Sequence, residues 1–321
     1  MFENKKIAVV IPAHNEEVLI ERTINSVPSF VDKVIVVDDY SNDKTADVVN
    51  ALHSRQPDRI ILLQHETNQG VGGAIASGYI WCRDHEIDAA VVMAGDAQMD
   101  PADLPALLAP VLNGKYDYSK GNRLFTGDAW ELIPKTRYLG NAAMSLLTKI
   151  ASGYWRIADS QSGYTVINQK ALRTINWNKM YKRYGQPNDL LVRLNVHDFK
   201  VCDVPTRPIY NIGEKSGIRP IQMIPQLSFL LLKLFLWRMF QKYVIRDFHP
   251  LVFFYLFGFF LCAPGFLLGL WLLVYRVFIG QVAVTSAIFS ALLMISGLQF
   301  LLFAMWFDMD YNSRLNRPFE R

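Results

Sequence analysis

Two runs without a single Asp, Glu, Lys or Arg, residues 251–275 and 282–307, constrain this chain more than any other feature. Each is longer than the ~20 apolar residues needed to cross the ~30 Å hydrocarbon core of a bilayer. Two adjacent charge-free runs of this length, with Gly and Pro inside them, are unusual in a soluble core, so a transmembrane hairpin is expected. A pair of buried core helices is the alternative. Charged residues make up 19% of the chain and crowd into its first two-thirds. A net charge of +4, with no basic-aromatic pattern, argues against nucleic acid as a partner. Cys82, Cys202 and Cys262 are scattered and lack CxxC spacing, which fits a reducing compartment and no zinc site. The opening MFENKKIAVV passes from charge straight into a strand-like run and does not read as a signal peptide.

Ahead of the hairpin, short β-branched runs at 6–11, 33–37, 60–63 and 89–93 alternate with helical patterns at 16–26, 44–54, 73–83 and 101–112. That alternation predicts an α/β fold, a mostly parallel sheet with helices on both faces. Ligands bind such sheets at the carboxyl ends of the strands. Polar clusters fall at those ends: 12–17 after the first run, 38–45 after the second, 68–73 after the third and 94–100 after the fourth. Beyond residue 220, an apolar stretch carries Arg238, Lys242 and Arg246 at i, i+4 and i+8. It is expected to lie in the membrane interface with its basic face toward lipid phosphates, or else to cover the preceding domain.

Three clusters have residue types suited to chemistry. Asp38 and Asp39 offer carboxylates to a nucleoside, or form part of a capping cluster with Asn42 or Asp43 at the next helix. In AGDAQMDP (94–101), Asp96 and Gln98 share one side of an extended segment, and hard oxygens suit Mg2+ or Mn2+. Asp100 before Pro101 reads as a helix N-cap. The glycines of NQGVGGA (68–74) mark a close backbone approach, to a ligand or at a tight turn, without matching a P-loop or dinucleotide fingerprint.

Taken in order, VVIPAHNEE, VDDYSNDKT, NQGVGGAIASGY, AGDAQMDP, KGNR and DSQSGY resemble the family 2 glycosyltransferases of GT-A fold. With the hairpin, the resemblance covers nearly the whole chain. Within the family it is most similar to the polyprenyl-phosphate sugar synthases, such as dolichol-phosphate mannose synthase. The resemblance implies a nucleotide sugar held by Pro12, Ala13, Asn15, Glu17 and Asp39. It implies a Mg2+ or Mn2+ ion on Asp96 and Gln98, with Ala94 standing where the family has a further Asp. Arg123, Arg137 and Asn141 resemble the lipid-phosphate clamp, whose last member is usually Ser. The family's late Arg-x-x-Gly-x-Ser-Lys segment becomes YNIGEKS here (210–216), leaving Lys215 to reach the donor diphosphate. Asp159 takes the place of a general base, or organises the acceptor side where the acceptor is an ionised phosphate.

The expected organisation is a catalytic domain over 1–220, an amphipathic interfacial segment over 221–248, and two transmembrane helices with a short tail over 249–321. The expected reaction moves one sugar, with inversion and with a metal, from a nucleotide diphosphate sugar to a polyprenyl phosphate. Transfer to a saccharide or glycolipid acceptor is a second reading, although no Gln-x-x-Arg-Trp segment is present. A catalytically silent membrane scaffold, prompted by Ala94, is a third. Lys and Arg flank the hairpin, placing the catalytic domain and both termini in the cytoplasm of a multi-pass membrane protein. A homo-oligomer is left open.

Overall fold

The computed structural model describes residues 4–124, 135–207 and 220–316. They form two compact units: Met1–Phe235 with Arg314–Arg321, and Leu236–Ser313. The first is built on a seven-stranded sheet of β1 (Ile7–Ala13), β2 (Lys33–Asp38), β3 (Ile60–Gln64), β4 (Ala89–Val92), β5 (Tyr118–Asn122), β6 (Thr165–Asn168) and β7 (Val201–Pro205). Their order is β3-β2-β1-β4-β6-β5-β7. Only β6 runs against its neighbours β4 and β5, so the expected mostly parallel sheet is present.

Successive residues of a strand point to opposite faces, and both faces here are apolar. Ala8, Val10, Ile35 and Val37 pack against Ala74, Ile75 and Tyr79 of α3 (Val71–Asp84). Ile7, Val9, Ile11, Val34 and Val36 meet the other layer: Ile20 and Ile24 of α1 (Ile20–Ser26), Val49 and Leu52 of α2 (Thr45–Arg55), and Leu104, Leu107 and Leu108 of α4 (Leu104–Leu112). Burying each Val, Ile or Leu contributes roughly 1.5–3 kcal/mol. Continuous burial on both faces explains why these strands read as unbroken apolar runs. Further helices of this unit are α5 (Lys135–Ser152), α6 (Gln169–Thr174) and α7 (Gln186–Val196).

The glycines before and within α3 serve packing. A Cβ on Gly72 would stand 2.2 Å from the Tyr181 carbonyl oxygen, and one on Gly78 would stand 2.3 Å from Val10 Cγ1. Gly70 has φ +83°, which favours glycine. Gly70 makes a tight turn into α3, one of the two uses expected of this segment, and the glycines inside the helix add close packing.

A long helix, α8 (Pro220–Phe240), leads into the second unit and ends in one π-helical turn, Gln241–Arg246. Two helices of 28 residues follow, α9 (Leu251–Phe278) and α10 (Val284–Tyr311), each ~42 Å long at 1.5 Å per residue. Only 22% and 17% of their most apolar windows are buried, which rules against a pair of soluble core helices. Glycine lets them approach closely: a Cβ on Gly297 would lie 2.5 Å from the Cys262 amide nitrogen.

The basic face expected on residues 238–246 does not exist as a face. Arg238 is fully buried and grips Asp308 through Nη1 and Nη2 at 2.8 and 2.9 Å. Lys242 is 2% exposed and donates to Asn312 Oδ1 at 2.9 Å, while Tyr243 donates its hydroxyl to Asp308 at 2.6 Å. A carboxylate buried at the end of an apolar helix is costly without a cation, and it turns these side chains inward. Arg246 alone stays exposed.

Candidate active site

The chain steps from β1 to β2 and β3 on one side, then returns to β4 on the other, so the sheet order reverses beside β1. At such a point the loops splay and leave a crevice beyond the strand carboxyl ends. A Cβ on Gly95, after β4, would lie 3.3 Å from the Pro12 carbonyl and 3.5 Å from Glu16 Cγ. The loops after β1 and β4 therefore meet there.

The β1 and β2 loops are sewn together by reciprocal bonds. Asn15 Oδ1 accepts from the Asn42 amide at 2.8 Å, and Glu17 Oε2 accepts from Lys44 at 3.0 Å. In return, Ser41 Oγ accepts from Asn15 N at 2.9 Å, and Asp43 Oδ2 accepts from Glu17 N at 3.1 Å. Asn15 and Glu17, expected at the nucleoside, thus act first as braces. Asp43 also accepts from the Thr45 amide at 3.0 Å, but the N-cap position of α2 is Lys44, not the expected Asp43 or Asn42. Asp39 is buried and ties three strand ends together. Its Oδ1 accepts from His65 Nδ1 at 2.7 Å and Gln69 N at 2.8 Å, and its Oδ2 accepts from Gly70 N at 2.7 Å. His14 Nδ1 lies 2.9 Å from the Asp39 carbonyl, and Asn68 Nδ2 donates to the same oxygen at 3.3 Å. His14, His65 and Asn68 were not singled out from sequence. Their position next to strand ends was the available signal.

Three non-glycine residues here adopt left-handed backbone: Asn15 (φ 58°), Tyr40 (φ 60°) and Ala97 (φ 55°). They sit in the loops after β1, β2 and β4. Such strain persists where surrounding structure imposes it, and it gathers at functional loops.

One cleft is lined by Asp96, Gln98, Met99, Arg123, Ser162, Gly163, Tyr164, Thr206 and Arg207. Asp96 Oδ1 accepts from Gln98 N at 3.1 Å, fixing the turn that carries both candidate metal ligands. Asp100 Oδ1 accepts from Ala102 N at 2.9 Å, the expected N-cap. Arg207, just past β7, is a cation in the cleft that sequence reasoning missed.

Glu16 faces this acidic end. Burial, and then the charges of Asp96 and Asp43, push its carboxyl up from 4.5 to about 7. Between those values the folded protein keeps a proton that the unfolded chain has released, so stability falls as pH rises from 4.5 to about 7. Glu16→Gln is expected to melt above wild type at pH 8 in metal-free buffer, the gap closing by about pH 4. A melting difference that ignores pH would remove Glu16 from this electrostatic cluster.

Residues 8–176 match the Glycosyl transferase family 2 model, just over half of the chain. The chain belongs to this family. Similar to this glycosyltransferase is UDP-N-acetylglucosamine–dolichyl-phosphate N-acetylglucosaminyltransferase of Methanococcus voltae, 29% identical over 64% of this chain and 87% of the relative. Undecaprenyl-phosphate mannosyltransferase of Micrococcus luteus is 29% identical over 62% and 82%. Among solved structures, glucosyl-3-phosphoglycerate synthase from Mycobacterium tuberculosis, in complex with Mn2+, UDP and glucosyl-3-phosphoglycerate, superposes with a TM-score of 0.53. It is 21% identical and matches 73% of this chain and 80% of that one, a likeness of fold.

In the glycosyltransferase, Asp159 is fully buried and does not line the cleft. Its carboxylate accepts from Arg123 Nε at 2.7 Å, Nη2 at 3.1 Å and the backbone amide at 3.3 Å. Burial pushes the Asp159 carboxyl up, but Arg123 and then Lys120 outweigh this and hold it below the ordinary range. A buried, ionised, fork-paired carboxylate orients Arg123, and it is poorly placed to take a proton from an acceptor. Arg137 and Asn141 lie on α5, with side chains outside the described residues, as is Lys215.

Proposed function

We propose that this glycosyltransferase moves one sugar from a nucleotide diphosphate sugar to a polyprenyl phosphate in a single inverting displacement. The observation that carries the reading is the make-up of one cleft, which joins the hard-oxygen groups Asp96 and Gln98 to the cations Arg123 and Arg207. Relatives named for dolichyl phosphate and undecaprenyl phosphate support the acceptor class.

An acceptor phosphate oxygen attacks the anomeric carbon. The bond from that carbon to the donor diphosphate breaks, configuration inverts, and the nucleoside diphosphate leaves. A phosphate monoester has its second pKa near ~6, so it arrives largely ionised and needs no strong base. A buried Asp159 fits that requirement. Arg123, aimed by Asp159, orients the attacking phosphate, since a guanidinium fork matches its oxygens. Asp39 already accepts three hydrogen bonds and has capacity for about one more, from a nucleobase N–H. Pro12, Ala13, Asn15 and Glu17 frame that end. Lys215 is assigned to the diphosphate, and Arg137 with Asn141 to the lipid phosphate, on the resemblance.

Asp96 and Gln98 fit a Mg2+ or Mn2+ site of the sparse kind, in which one or two protein oxygens hold the ion and water and phosphate complete it. When bound, the cation supplies counter-charge to the departing diphosphate. Among the described residues no third His, Cys, Asp or Glu completes a denser cage.

The test separates acceptor from donor. Arg123→Ala is expected to reduce acceptor efficiency about ten- to a hundredfold, the worth of a charge-assisted contact, while nucleotide affinity by calorimetry is preserved. Arg123→Lys should recover only part, lacking the fork. Weakened nucleotide affinity with unchanged lipid dependence would reassign Arg123 to the donor.

We also propose the division into a catalytic domain (1–220), an interfacial segment (221–248) and a hairpin with tail (249–321). Both termini would be cytoplasmic. Arg238, Lys242 and Arg246 precede the hairpin, Arg314, Arg317 and Arg321 follow it, and Arg276 alone lies between. Gln281 and Ser313 are exposed. On a Cys262→Ser background, Gln281→Cys should react with an impermeant maleimide on intact cells, and Ser313→Cys only after permeabilisation. The reverse pattern would invert the topology.

A further inference from the structure

Behind the cleft lies a charge that the reaction does not use. Lys120, on β5, is fully buried, and its ammonium donates to the Ser162 carbonyl. It is the sheet-register partner of Asp203 on β7. Asp203 Oδ2 accepts from the Ala158 amide at 2.6 Å and from Asn122 Nδ2 at 3.1 Å. Ala158 precedes Asp159, and Asn122 precedes Arg123. Asp203 therefore clamps the backbone just ahead of one member of the ion pair and the side chain just ahead of the other. Lys120 holds the far end of the same 159–162 segment, where Ser162 lines the cleft.

We propose that Lys120 and Asp203 are positioning residues: they fix the Asp159 carboxylate, and through it they aim the Arg123 guanidinium into the cleft. The proposal rests on the reading of Arg123 as the acceptor's phosphate ligand only for its catalytic consequence. Charge arithmetic supports it. Two cations, Lys120 and Arg123, stand against two carboxylates, Asp159 and Asp203, in a largely buried group. Burial lowers the Lys120 ammonium to about 8 against the pull of Asp159 and Asp203, and burial raises Asp203 to about 7. Asp203 Oδ1 is buried and makes no hydrogen bond; the Ala158 amide and then the Lys120 charge offset part of that burial. Deleting the ammonium removes the hold on the Ser162 carbonyl, so the 159–162 segment that carries the Asp159 carboxylate loses that tie and keeps the one at its Ala158 end. Asp159 can then no longer hold its fork on Arg123 in one place, whether or not the charge count is rebalanced at Asp203.

A role confined to stability predicts lower melting and nothing else. A positioning role predicts a change at Arg123 that survives when stability is restored. The test compares full-length Lys120→Met, the charge-balanced Lys120→Met/Asp203→Asn, and Lys120→Arg, all purified in detergent. The rate at which phenylglyoxal modifies Arg123, read by peptide mass spectrometry, reports whether Asp159 still grips it. Lys120→Met is expected to label about tenfold faster than wild type and to melt lower. The double variant should regain melting temperature yet keep the fast labelling, and Lys120→Arg should return labelling toward wild type. Acceptor KM should rise with the labelling rate while nucleotide Kd stays put. On an Arg123→Ala background, Lys120→Met should add little to acceptor KM, since it acts through Arg123. A double variant that melts normally and protects Arg123 would overturn the proposal, as would Lys120→Met with unchanged labelling. The labelling needs no acceptor, so wild-type protein inert toward polyprenyl phosphate would defeat the reaction assigned above and leave this result to be decided by itself.

Discussion

Asp96→Ala is expected to lower the transfer rate by about 10²-fold or more, the usual cost of deleting a preorganised charge at the leaving group. Asp96 is the carboxylate of AGDAQMDP that both lines the cleft and sits in a fixed turn, with Oδ1 held by Gln98 N. Ala94 offers no oxygen to share the load, so a single substitution should remove most of the cation's hold. Mn2+ titration of the variant should show weakened binding alongside lost turnover, with the melting temperature measured beside it as the control for folding. Near-normal, cation-dependent turnover would move the metal elsewhere.

Asp308→Ala should cost about 3–5 kcal/mol of stability, since it strands the fully buried Arg238 without its carboxylate. Tyr243 and Asn312 lose an acceptor at the same stroke, at 2.6 and 3.0 Å. Replacing both charges by apolar residues, as in Arg238→Met/Asp308→Leu, should be far milder, because the desolvation cost disappears with the pair. Denaturant unfolding in detergent, followed by tryptophan fluorescence, measures both. An Asp308→Ala protein as stable as wild type would mean that Arg238 finds another partner or water.

What sequence revealed and what it hid follow one rule. β1, β2 and β4 were legible because both their faces are buried and the strands read as apolar runs ending in polar clusters. β5 and β7 were not read as strands. β5 runs Tyr-Ser-Lys-Gly-Asn, and its Lys120 is as buried as any valine because Asp159 and Asp203 face it from elsewhere in the chain. For the same reason Arg238 and Lys242 read as a basic face: their spacing is visible, but Asp308 and Asn312, seventy residues on, are not. Asp96, Gln98 and Arg123 line one cleft. The sequence points to Asn15 and Glu17 for the nucleoside and to Asp159 for the acceptor side, while their structural partners, Asn42, Lys44 and Arg123, are visible only in three dimensions. Local pattern reports burial; it does not report which distant charge makes burial tolerable.

The central claim is that sugar passes from a nucleotide to a lipid phosphate. Purified full-length protein is incubated with each of a panel of radiolabelled nucleotide sugars, polyprenyl phosphate, and either Mn2+ or EDTA, and the organic phase is counted. One nucleotide sugar should deliver label to the lipid with Mn2+ and none with EDTA, and mild acid should release it as expected for a sugar phosphodiester. Label that passes to a saccharide acceptor with the lipid left unmodified, or that never leaves the nucleotide, would contradict the account.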